Sequence, residues 1–260
     1  MSRLYARASP LIEERHAALT PNLGPDHPDT LSMLQVLATT YRQANQLDKA
    51  VALYEDVLKR REAKLGRQDL ATQRTSANLG GAYLAVGRLK DAIPLLEETH
   101  QSAKQFAELR WVDGLLIEAY AKAGENAKLA DLLLEQLPEA RKTLPKDSPQ
   151  LAGLLAQIGM SLLSQKQWTE AEPLLRECLA IREKSQPDVW NTFTAKAMLG
   201  ALLGQKKYAE AEPLLLAGYE GMKQREKTIP PQAGTRLPDA LDRLIELSTA
   251  TNKPDDVKKW

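Results

Sequence analysis

The sequence predicts an all-α solenoid of antiparallel helix pairs. Three observations carry that expectation. The pentapeptide Ala171-Glu172-Pro173-Leu174-Leu175 recurs unchanged as Ala211-Glu212-Pro213-Leu214-Leu215, each with an aromatic residue three positions before its alanine, Trp168 and Tyr208. The same frame returns in Leu47-Asp48-Lys49-Ala50 and Leu89-Lys90-Asp91-Ala92. Apolar positions step by three and four, the helix period, and no segment alternates with period two, so no strands are expected. Aligning Ala50, Ala92, Leu129, Ala171 and Ala211 gives intervals of 42, 37, 42 and 40 residues. That is the length of two helices and two short loops, and self-similarity at such a period marks an array whose units pack on their neighbours.

Five full pairs follow from this register: 29–66, 70–106, 108–143, 148–186 and 188–227. In the first, Leu34, Leu37 and Tyr41 lead into Leu47, Ala50, Tyr54 and Val57. In the fourth, Leu155, Ile158 and Leu162 lead into Trp168, Ala171, Leu175 and Cys178. The third pair departs most, with Asn126 at the aromatic place and Leu129 at the alanine place. A partial unit, 6–22, precedes the pairs and reads as a second helix, Ala6 to Leu19, without its partner. A partial terminal unit, 235–260, follows them. Its Leu237, Leu241, Leu244 and Leu247 form a first helix, and Asn252 to Trp260 begins a second. The segment Ile229-Pro230-Pro231-Gln232-Ala233-Gly234 is the longest non-helical stretch and is expected to loosen the last unit. Residues 1–260 thus read as a single repeat array that begins and ends inside repeats, which suggests a piece of a longer protein.

Turn chemistry agrees with these boundaries. Gly87 and Gly124 stand where first helices end, a place that often needs positive φ, and Asn45 tolerates the same conformation. Pro28 and Pro149 suit the first helical position after His27 and Ser148. Thr169 and Asp48 are expected N-caps of second helices. Pro94, Pro173 and Pro213 share one register near a second-helix start, where a missing N–H costs little.

Composition bounds the function. The 260 residues carry 35 basic and 34 acidic side chains and a net charge of +1, so no basic excess argues for nucleic acid. The single Cys178 excludes an internal disulfide framework and fits a reducing compartment. The first residues lack the apolar run of a secretory signal, and no stretch of 18 apolar residues suggests a membrane span. These features lead to the expectation of a cytoplasmic chain without membrane contact.

The string Leu79-Gly80-x-x-Tyr83-x-x-x-Gly87-x-Leu89-x-x-Ala92 resembles a tetratricopeptide repeat. The longer period, the linker Leu23-Gly24-Pro25-Asp26-His27-Pro28-Asp29-Thr30-Leu31 and the run from Gln205 to Leu214 resemble the kinesin-light-chain-like subclass. The resemblance covers nearly the whole chain and implies a right-handed superhelical solenoid with a concave groove. The subclass is common in bacterial multidomain proteins, including C-terminal regions of bacterial serine/threonine kinases, and the ending Lys253 to Trp260 looks like that group. No kinase motif is present in the chain.

No catalytic constellation emerges, so the chain is not read as an enzyme. His16, His27 and His100 lie in different units, and none has a second ligand at helical spacing, so no metal and no cofactor is expected. Cys178 falls on an apolar stripe and reads as a buried thiol. Glu13-Glu14, Glu97-Glu98 and Asp255-Asp256 are adjacent pairs, which do not face each other on a helix. Gly80-Gly81 is a close-packing signal rather than a phosphate loop.

A binding groove remains. In proteins this chain resembles, first helices line the concave face. By register the lining residues are Ser32, Gln35, Val36, Thr39 and Arg42, then Arg74, Ala77, Asn78 and Gly81. Next come Trp111, Leu115, Glu118 and Lys122, then Gln157, Met160 and Ser164, and finally Phe193, Lys196, Ala197 and Gly200. Gln35, Thr39, Arg42, Arg74, Asn78, Trp111, Lys122, Gln157 and Lys196 are the candidate peptide contacts. Asn78 matches the groove asparagine of the subclass, whose amide can pair with both donor and acceptor of a peptide backbone. Gly81, Ala77 and Gly200 would keep the groove shallow. Arg42, Arg74, Lys122 and Lys196 give a mildly basic lining suited to an acidic peptide or a terminal carboxylate. Trp111 offers a flat apolar surface. Three readings follow: a protein- or peptide-binding scaffold, a self-association module using open terminal helices, and a regulatory or sensor module of a larger bacterial signalling protein.

Overall fold

A computed structural model gives the fold and describes residues 2–201, 207–253 and 255. Among these there are twelve α-helices and no strand. They are α1 (Ser2–Leu23), α2 (Pro28–Gln43), α3 (Leu47–Leu65), α4 (Leu70–Ala85), α5 (Leu89–Ala103), α6 (Val112–Ala123), α7 (Asn126–Thr143), α8 (Pro149–Ser164), α9 (Trp168–Ser185), α10 (Trp190–Gly200), α11 (Tyr208–Gln224) and α12 (Arg236–Ala250). The chain divides into two compact units, Met1–Gly124 and Glu125–Trp260. In the first, α1 packs on α2, and each helix from α2 to α5 packs on the next. In the second, α7 packs on α8, α8 on α9, α9 on α10, α10 on α11 and α11 on α12. The predicted third pair corresponds to α6 and α7, which belong to different units.

The register residues are the core of each pair. Ala50, Ala92, Ala171 and Ala211 are fully buried, and Leu129 nearly so. In three of the pairs a first-helix glycine faces the leucine four places beyond the register alanine. A Cβ on Gly80 would stand 2.8 Å from Leu96, and one on Gly200 would stand 2.6 Å from Leu215. Gly159 meets Leu175 in the same way. Glycine therefore brings two helix axes close and lets one leucine fill the gap.

Helix ends follow the turn chemistry in part. Gly87 (φ 79°), Gly124 (φ 71°) and Asn45 (φ 61°) all take positive φ after first helices. His27 and Ser148 cap α2 and α8, with His27 Nδ1 accepting from the Asp29 amide and Ser148 Oγ from the Leu151 amide. Thr169 and Asp48 are not caps. α9 and α3 begin one residue earlier, at Trp168 and Leu47, so both lie inside the first turn. The preceding Gln167 and Gln46 take the cap position without a side-chain bond. Pro94, Pro173 and Pro213 stand five residues beyond the helix starts at Leu89, Trp168 and Tyr208. Each therefore forgoes one i→i−4 bond. α1 is longer than predicted and carries Pro10 and Pro21 within it.

The segment 229–234, expected to loosen the last unit, contains one 3-10 turn, Pro231–Ala233, and follows another, Glu226–Thr228, with backbone bonds such as Ala233 N to Pro230 O at 2.8 Å. Arg225 holds the start of the Glu226–Thr228 turn, donating to the Asp188 carbonyl at 3.0 Å and to the Gly221 carbonyl at 3.0 Å. The predicted second helix of the terminal unit, like Gln205 and Lys206 of the repeat motif, falls mostly outside the described residues.

Candidate binding face

Within the first unit α4 packs beside both α2 and α6, so the first helices form one face. Its centre is Gly81. A Cβ there would stand 3.1 Å from Leu115 Cδ1 and 3.3 Å from Arg42 Nη1. Leu115 of α6 and Arg42 of α2 thus converge over this glycine, and the space that glycine leaves is filled from both sides. Ala77 is fully buried beneath. Gly200 serves packing against Leu215 rather than a shallow groove.

Arg74 is exposed on the next part of α4, and Asn78 lies half-buried one turn on. The Asn78 amide donates to the Arg74 carbonyl at 2.9 Å, so part of its donor capacity is spent on its own helix, while its oxygen accepts from no described residue. Arg42 Nε is buried without a hydrogen-bond partner. Neither Arg42 nor Arg74 has a carboxylate within ion-pair distance among the described residues. The other two basic candidates are neutralised. Lys122 pairs with Glu118 at 2.7 Å, and Lys196 pairs with Glu183 at 3.0 Å. The positive charge left on the first unit's face therefore concentrates on α2 and α4.

Two candidates turn inward. Gln35 is buried, and its Oε1 accepts from Arg61 and from Thr75 Oγ1, the latter at 3.2 Å. Thr39 donates to the Gln35 carbonyl at 2.9 Å and hydrogen-bonds the Tyr54 hydroxyl at 2.7 Å. Both side chains are committed to the scaffold, which corrects their reading as peptide contacts. Trp111 is 44% exposed at the start of α6, as a contact surface requires. Val36, on α2, is 52% exposed and is the larger apolar exposure on this face.

The residue that sequence reasoning missed is Arg61. It is 2% exposed, and its guanidinium donates to Gln35 Oε1, to the Ala71 carbonyl at 3.0 Å, to Thr75 Oγ1 at 2.7 Å and to Ser32 Oγ at 3.3 Å. It thereby ties α2, α3 and α4 together behind the face. Burial lowers its pKa first, and repulsion from Arg74 adds to this, with Asp69 opposing. The signal was present: Arg61 and Arg182 both stand eleven residues after a register alanine.

In the second unit Gln157 is half-buried on α8, and Lys196 lies 5.7 Å from the Phe193 ring. Phe193 is not a groove residue. Its ring seats against Gly221, and Arg225 stacks on it at 4.3 Å. Cys178 is buried, donates to the Ala152 carbonyl at 3.2 Å, and has its pKa raised by burial.

Paired helices that expose a polar and aromatic first-helix face define a repeat scaffold. Residues 3–63 and 151–185 match the tetratricopeptide repeat. An 81-residue stretch is 36% identical to Protein KINESIN LIGHT CHAIN-RELATED 2 of Arabidopsis thaliana, covering 31% of this chain but only 12% of that protein. The fold is similar to that of the nearly identical TPR-like repeats of a Podosopora anserina kinesin light chain, with a TM-score of 0.57, 22% identity, and coverage of 77% of this chain and 99% of that one. It is also similar to YrrB, described as a TPR protein with an unusual peptide-binding site, with a TM-score of 0.52, 15% identity, and coverage of 74% and 86%. Two stretches of the chain thus resemble tetratricopeptide repeats, and its fold is similar to that of kinesin-light-chain-like repeat structures.

Proposed function

We propose that the chain is a non-catalytic protein- or peptide-binding scaffold whose ligand lies across α2, α4 and α6 of the first unit. The observation that carries this reading is the pair of unneutralised guanidiniums, Arg42 and Arg74, flanking the free carboxamide oxygen of Asn78. The carboxamide would align a peptide backbone, and the arginines would favour an acidic segment through charge-assisted bonds. Trp111 and Val36 supply apolar contact at two edges of the same face. The test is a displayed library of acidic and scrambled peptides against immobilised protein. Acidic peptides should be captured, Asn78→Ala with Arg74→Glu should abolish capture, and Lys122→Ala with Lys196→Ala should leave it intact. Capture unaffected by the first pair would overturn the reading.

Self-association is the second reading, and the exposure of Leu4 (71%) and Leu11 (68%) on α1 favours it. It requires an oligomer by light scattering that Leu11→Glu dissolves. A role as a regulatory array of a bacterial kinase or other signalling protein rests on resemblance alone and is tested by the reading frame around the segment.

A further inference from the structure

Three tyrosines of the first unit occupy one register position. Tyr41, Tyr83 and Tyr120 each precede the next register residue, Ala50, Ala92 or Leu129, by nine places. Each donates its hydroxyl to a glutamate on the second helix of the preceding pair. Tyr41 of α2 bonds Glu13 of α1, Tyr83 of α4 bonds Glu55 of α3 at 2.6 Å, and Tyr120 of α6 bonds Glu97 of α5 at 2.8 Å. The glutamates are themselves equivalent, since Glu55 and Glu97 both stand five places after a register alanine. In the second unit the same register pairs Leu134 with Leu162 and Leu216 with Ser248, so the α7–α8 and α11–α12 seams lack this bond.

The two kinds of seam in the first unit differ in chemistry. Inside the pair α4–α5 the contact is apolar and set by glycine and leucine. Between pairs, the end of each first helix is fixed by a phenol on a carboxylate. We infer that these three bonds are latches that set the angle between successive pairs in the first unit, and with it the spacing of α2, α4 and α6. Small rotations between repeats govern the spacing of a first-helix face, so a bond at the seam is placed to control it. The device is independent of what the face binds, and its test needs no ligand.

The groups facing each phenol make the latch sensitive to alkali. Tyr83 meets Glu55, Asp91 and the Arg88 guanidinium, which stacks 4.1 Å from its ring. Tyr41 meets Glu13 and Lys49, the latter 5.2 Å from its ring. Tyr120 and Glu97 border a crevice of about 430 Å³ shared with Glu98 and His100. Burial first, and then the bonded carboxylate, push Tyr41 and Tyr83 from 10 up to about 12. A folded pKa above the unfolded one means that the latch contributes fully below pH 10 and is lost as pH rises towards about 12.

The experiment follows phenolate absorbance, amide exchange and the distance between spin labels at Val36 and Arg74. Tyr41 and Tyr83 should titrate at about 12, with loosening of α2 and α4 in the same pH range. Tyr83→Phe should broaden the α2–α4 distance and speed exchange in the last turn of α4 by about tenfold. Glu55→Gln keeps an acceptor, so it should leave exchange as in the parent while letting Tyr83 titrate below about 12. Unchanged exchange and distance in Tyr83→Phe would overturn the inference. If Tyr83→Phe does not fold, a Glu55→Gln protein whose Tyr83 titrates as in the parent would do the same.

Discussion

Gly218 is the residue at which one added carbon should do most harm. A Cβ there would stand 2.7 Å from the Ala197 amide nitrogen and 2.8 Å from the Phe193 carbonyl oxygen. Both are backbone atoms of α10 and cannot swing aside, so Gly218→Ala should cost about 1–3 kcal/mol by urea unfolding. Gly153 is the opposite case. It lies in α8 with nothing within 4 Å of an added Cβ, so Gly153→Ala should stabilise by about 0.5–1 kcal/mol through the lower entropy of the unfolded chain. Equal effects at the two positions would refute this packing account. The contrast also shows what a sequence holds at this scale. Both glycines sit in helical patterns that read alike, and only the approach of α10 separates them. Phe193 was misplaced for the same reason, because its partners Gly218 and Gly221 belong to the following helix.

At the scale of elements most of the design was legible, because it repeats. The register alanines located the helix pairs, and all four are fully buried. The same arithmetic contained Arg61 and Arg182, but long charged side chains read as surface until a buried position is shown. Each reaches the second residue of the next first helix: Arg61 donates to the Ala71 carbonyl and Arg182 to the Asn191 carbonyl. Their loads differ. Arg61 serves four acceptors, whereas Arg182 is given one carbonyl and a contact with Cys178. Replacing either by Met keeps volume and removes the donors. Arg61→Met should therefore cost about 1–3 kcal/mol from stranded acceptors, and Arg182→Met distinctly less. Thermal melts of the two variants decide the point, and a larger loss for Arg182→Met would show that the Arg61 network adds nothing. The proposed binding face was legible only in outline. First-helix register gave Arg42, Arg74, Asn78 and Trp111 their common side. It could not reveal that Gln35 and Thr39 bond inward, or that Glu183 neutralises Lys196, because those outcomes depend on side-chain reach between helices. The Lys122–Glu118 pair, four residues apart on α6, was open to reading from spacing alone.

At the scale of the whole molecule, the principal contacts run between helices adjacent in sequence. Loop closure is then cheap, and stability is close to a sum over pairs and seams. Damage should stay local in such a chain. The Gly218→Ala change strikes the α10–α11 contact, whose neighbours in the second unit are α9 and α12. Amide exchange in that variant should accelerate in α10, α11 and α12, while α2, α3 and α4 of the first unit keep their protection. A globular core would behave differently, since one clash there lowers the single global unfolding energy and raises exchange at every deeply protected amide together. Hydrogen exchange read by mass spectrometry over peptides from each helix separates the two cases. Uniform acceleration from α2 to α12 would mean that the pairs unfold as one body, and the additive account would fail. Confinement to the second unit would mean that the face on α2, α4 and α6 can be altered residue by residue, with its own stability measured apart from the rest.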